Sequence, residues 1–79
     1  MITTRKWLMT TRVLERYGGV IPDHLVEACA AYAIGRASEQ GEKLEMVSKD
    51  FSRHDKGMFL TITFSTERLE ETHATNEPR

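Results

Sequence analysis

A chain of 79 residues with a formal net charge of −1, 39% apolar and 29% charged, has room for one domain and one modest core, because at this size only roughly 60–65% of the unfolded surface is buried. No run approaches the roughly 18 apolar residues of a membrane span, and Arg5-Lys6 lead into no uninterrupted apolar stretch, so neither a spanning helix nor a secretory leader is expected. The single cysteine, Cys29, has no partner for an internal disulfide, which points to a reducing, cytoplasmic setting.

The first segment, from about Thr4 to Tyr17, reads better as a helix than as a strand. At about 100° per residue Trp7, Met9, Val13, Leu14 and Tyr17 fall within an arc of about 160°, with Leu8 outside it. As a strand, the positions Ile2, Thr4, Lys6, Leu8 and Thr10 show no clean alternation. Thr3 or Thr4 supplies an N-cap and Gly18-Gly19 a stop. The threonine content keeps a strand as the alternative. On the helical reading Arg5, Arg12 and Arg16 lie within about 40° of one another and form a basic stripe opposite the core. Set against Glu15 alone, those three arginines and Lys6 make residues 1–20 the basic part of the chain.

The second segment is a helix on stronger grounds. Pro22 suits a first helical turn, Asp23 and Glu27 suit the positive end of the dipole, and Gly41 ends it. Leu25, Val26, Cys29, Ala30, Tyr32, Ala33, Ile34 and Ala37 cover about 200° of its surface, a core face of small residues that lets a neighbour approach closely. Cys29 sits among Ala28, Ala30 and Ala31. Apolar surroundings raise a thiol pKa, which is the wrong direction for a nucleophile.

From Leu44 to Phe64 two strand-like runs flank the turn His54-Asp55-Lys56-Gly57. A two-residue loop at Asp55-Lys56 pairs Phe51 with Leu60, Lys49 with Ile62 and Val47 with Phe64. A three-residue loop would pair Met46 with Phe64, Ser48 with Ile62 and Asp50 with Leu60. The first register brings more apolar residues across from one another and is preferred. In both, Leu60, Ile62 and Phe64 point inward, while Phe59 points outward with Thr61 and Thr63. Phe59 on a two-stranded edge is a candidate contact for a partner or a second copy. The tip, Arg53-His54-Asp55-Lys56, is a small wing that could reach along nucleic acid. Past Ser65, a cap at Ser65 or Thr66 starts a helical turn through Glu71, followed by a disordered tail.

The expected fold is therefore α+β, with residues 1–65 as one domain: two amphipathic helices packed on a C-terminal antiparallel hairpin (ααββ), its sheet extended by dimerisation. With a strand at the N-terminus the order becomes βαββ. No chemical motif stands out. His24, His54 and His73 lie in different segments without a second ligand at i+3 or i+4, so no metal and no cofactor are expected. Gly18-Gly19 lack the lysine and spacing of a phosphate loop, and Glu70-Glu71 sit on the tail. A helix pair followed by a hairpin has the outline of a winged helix, but the second helix offers His24, Glu27, Ser38 and Glu39 with Arg36 as its only cation, which would repel phosphates. These readings converge on a small non-enzymatic protein that binds or inhibits a protein partner, of the kind common in phage and mobile elements. The alternative is a small nucleic-acid-binding regulator using Arg5, Arg12 and Arg16 with Arg53, His54 and Lys56.

Overall fold

The computed structural model describes residues 1–68, in the order β1 (Ile2–Thr10), α1 (Thr11–Glu15), α2 (Asp23–Glu39), β2 (Glu42–His54) and β3 (Gly57–Arg68). The class is α+β, and the arrangement departs from two helices on a hairpin. The chain opens with a strand, and three antiparallel strands in the order β1-β3-β2 carry one main helix.

The N-terminal segment divides at Thr10. β1 pairs with β3 from Ile2 opposite Ser65 to Thr10 opposite Gly57. Thr3, Arg5, Trp7 and Met9 are half-buried on the helix-bearing face, and the residues between them are exposed. Thr10 then caps α1, its hydroxyl accepting from the Val13 N–H at 3.4 Å, and Leu14 enters the core. Trp7 and Met9 thus reach the core at the strand period and Leu14 at the helical one. Placed end to end, the two periods mimic one helical arc, which is why the pattern resembles a single helix.

α2 begins one residue later than expected. Pro22 is its N-cap and accepts from the N–H groups of Leu25 and Val26. Gly41, at φ +78°, takes the left-handed conformation that ends the helix. The buried seam is Val26, Ala30, Ala33 and Ala37, whereas Tyr32 and Ile34 are exposed, so the core face is narrower than the apolar pattern suggested.

The hairpin has the two-residue loop and pairs Phe51 with Leu60 and Lys49 with Ile62. Between Met46 and Ser48 the register shifts, so Met46 and not Val47 lies opposite Phe64, and Val47 is the extra residue of a bulge. Beyond Phe64 the strand continues through Arg68, with Thr66 donating its N–H to the Met1 carbonyl at 2.8 Å. Ser65 and Thr66 therefore belong to β3 and cap no helix. Glu70, Glu71, His73 and the expected tail lie outside the described residues. Leu60, Ile62 and Phe64 are fully buried on β3 and meet Leu44, Leu14, Ile21 and the α2 seam.

The hairpin turn depends on one glycine. Neither Asp55 nor Lys56 has a positive φ, so the loop lacks the mirrored geometry usual for two residues, and Gly57 at φ +151° absorbs the change. A β-carbon at Gly57 would run into the Met9 carbonyl oxygen and come within 2.9 Å of the Thr10 Cα. Gly57→Ala is therefore expected to lower the unfolding free energy by about 2 kcal/mol or more in a urea titration. Gly35→Ala, inside α2 with nothing within 4 Å, is expected to raise it by about 0.5–1 kcal/mol. A neutral Gly57→Ala would mean that β1 does not close against the hairpin.

Candidate functional site

Strand alternation sorts the candidate residues onto two faces of the sheet. On the face away from α2, Phe59 of β3 lies beside Lys6 of β1 and His54 at the end of β2. The Lys6 Nζ stands 4.7 Å from the centroid of the Phe59 ring, and the His54 ring meets Phe59 edge-on at 4.9 Å. Both contacts have the geometry by which a ring's π-face attracts a cation or a positive ring edge. Phe59 does point outward as its register implied. Its strand, however, is the central one, so Phe59 is half-buried among neighbours and not on a sheet edge.

The hairpin tip beside this stack is held in place. The Lys56 N–H donates to His54 Nδ1 at 3.1 Å, which leaves His54 Nε2 to carry the ring proton while that bond lasts. The Lys56 carbonyl accepts from the Thr11 N–H at 3.0 Å and from the Thr11 hydroxyl at 3.3 Å. That pair of bonds brings the start of α1, and with it Arg12, to the same end of the sheet as Lys56. Arg53 is exposed on the opposite face, paired with Met58.

The arginine stripe is not formed. Arg5 is on β1, Arg12 in α1 and Arg16 at the α1 C-cap, so no helix aligns them. Arg5 faces the α2 side, where its Nη1 donates to the Thr3 hydroxyl at 2.9 Å and to the Thr4 carbonyl at 3.2 Å. Lys6, which a helical reading hides, joins the Phe59 stack. Only its place opposite Thr61, next to Phe59, would have signalled that, and this needs the β1–β3 register.

A second surface follows the outer edge of β2. Met46 and Phe51 are each 44% exposed and Val47 59%. On the α2 side Val20, Ile21, Phe51 and Met58 line an apolar groove of about 220 Å³. The loop after α1 supplies Val20 and Ile21 to one wall, and the hairpin supplies the other.

Among the described residues no three His, Cys, Asp or Glu side chains gather as metal ligands, and no helix is long and apolar enough to cross a membrane. His24 packs edge-on against Tyr17 at 5.5 Å. Cys29 is partly buried at the core margin, and burial pushes its thiol pKa up. Ionisation is then easier in the unfolded chain. The folded thiol should react with iodoacetamide more slowly than the same chain in urea across the alkaline range. Stability relative to Cys29→Ala should also fall as pH rises from the unfolded pKa through the folded one. Equal alkylation rates with and without urea would show that the thiol is not shielded.

Comparison with protein-family models, with curated proteins and with solved structures finds no match for this chain, so its function is argued from these surfaces.

Proposed function

We propose that this is a non-enzymatic binding protein that recognises a protein partner through the free edge of β2. The observation that carries this reading is the placement of Met46, Val47 and Phe51 on a strand whose outer edge is unpaired among the described residues, next to the groove of Val20, Ile21 and Met58. An outer strand presents unpaired backbone groups to any extended segment that comes alongside, and adjacent apolar pockets select its side chains. The bulge at Val47 breaks that edge in its first half. The stretch from Ser48 to His54 stays in regular register and is the part best suited to accept a partner strand. A second copy pairing β2 with β2 is one such partner, in keeping with a small core.

A second reading rests on the Lys6–Phe59–His54 stack. An aromatic ring on an open sheet face, with the Lys6 ammonium and the His54 ring beside it, is a platform on which single-stranded bases stack, and Lys56 and Arg12 lie at the same end. The two readings assign binding to different residues. Phe51→Asp should weaken capture of a protein partner by about 2 kcal/mol, roughly thirtyfold, and leave capture insensitive to nuclease. If self-association is the role, the same change shifts the light-scattering mass from dimer to monomer. Lys6→Glu with Lys56→Glu should abolish a salt-sensitive nucleic-acid complex and leave protein capture intact. Binding that survives Phe51→Asp and disappears with the lysine pair rejects the edge in favour of the platform.

A further inference from the structure

On the other side of α2 from the apolar groove, a cleft of about 280 Å³ separates the helix from β1. Its walls are two matched rows. Tyr32, Arg36 and Gln40 follow one another at intervals of four residues and form a single ridge on α2. Arg5 and Trp7 are alternate residues on the helix-bearing face of β1. The floor is Ala33 and Ala37, whose small side chains leave the space open.

The topology gives the two rows the same order. α2 turns straight into β2, which runs parallel to β1 because both are antiparallel to β3. The helix therefore runs antiparallel to β1, and the order Tyr32 to Arg36 accompanies the order Trp7 to Arg5. In each row an aromatic residue is followed, in the same direction, by an arginine. The step between them is about 6 Å along the helix and about 6.7 Å along the strand. Arg5 spends its Nη1 on a hydroxyl and a carbonyl and not on a carboxylate. Arg5 is already oriented by its bonds to Thr3 and Thr4, which lowers the cost of ordering it on a ligand.

We propose that this cleft binds a nucleoside monophosphate, with the base between Trp7 and Tyr32 and the phosphate between Arg5 and Arg36. The ribose spans the step between the two. Guanidinium groups bind phosphate through paired N–H donors, and aromatic side chains stack on a base. The size of the site suits a single nucleotide. The volume is near the lower limit of small-molecule pockets. This site shares no residue with the β2 edge or the Phe59 stack, and stands or falls separately from both.

Trp7 is the only tryptophan, so its fluorescence reports on the cleft directly. Titrating the full chain with AMP, GMP, CMP and UMP should give saturable quenching for at least one of them, with Kd at or below about 1 mM. Amide shifts should concentrate at residues 5–7 and 32–40. Adenosine and inorganic phosphate, each with half of the proposed ligand, should bind at least about tenfold more weakly, as should the Arg36→Ala chain. Arg36 is exposed, so its removal should leave the fold standing, which circular dichroism of the Arg36→Ala chain would check. No saturable quenching by any of the four nucleotides overturns the proposal. So do equal binding of inorganic phosphate, and shifts centred on Phe51 or Phe59.

Discussion

The molecule is organised by the two-sided commitment of β3. That strand hydrogen-bonds to β1 along one edge and to β2 along the other, and its Leu60, Ile62 and Phe64 are fully buried. A lone hairpin is marginal in water, and ordering each backbone residue costs about 1–2 kcal/mol. The third strand therefore decides whether β2 and β3 persist. It comes from the far end of the chain, and it is secured at both ends. Met1 accepts from Thr66 at one end. At the other, Met9 lies against Gly57 and Thr11 bonds the Lys56 carbonyl. The long-range β1–β3 ladder and these closures make folding depend on contacts far apart in sequence, a topology that slows folding more than it limits stability.

This dependence marks where the sequence was legible and where it was not. The hairpin could be read because its pattern is local: a two-residue turn at Asp55-Lys56 and the inward trio Leu60, Ile62 and Phe64 fix the pairing of Phe51 and Lys49. The slip at Val47 left no such mark, since Met46 and Val47 are both apolar and either can oppose Phe64. β1 was obscured for a different reason. It is an edge strand with Arg5 on the helix side and Leu8 on the open side, so neither face is cleanly apolar. Its pairing with β3, and not its own pattern, makes it a strand. Misreading that one segment created the arginine stripe and hid Lys6. The outward direction of Phe59 survived because it follows from β3 alone. The cations and rings around it, and the cleft beside Arg5, came into view only with β1 in place.

The same economy of parts accounts for the surfaces that remain open. A helix of 17 residues is about 25 Å long, whereas a strand of 13 residues extends about 43 Å. α2 can cover little more than half of β2, so Phe51 and the hairpin tip project past it. The loop carrying Val20 and Ile21 closes only part of the overhang. Sideways, the alanine seam lets α2 settle close to the sheet but fills little of the space beside it. A larger residue at Ala33 or Ala37 would occupy the space beside β1, and a longer α2 would cover Phe51. The apolar groove and the arginine-lined cleft are thus two consequences of one mismatch between a single slim helix and a three-stranded sheet. What the described residues leave uncovered is chemically different on the two sides: apolar along β2, aromatic and cationic along β1. Packing alone requires neither difference. Arg5 and Arg36 contribute little to a core whose buried members are all apolar, and both border the space that the alanine floor leaves open.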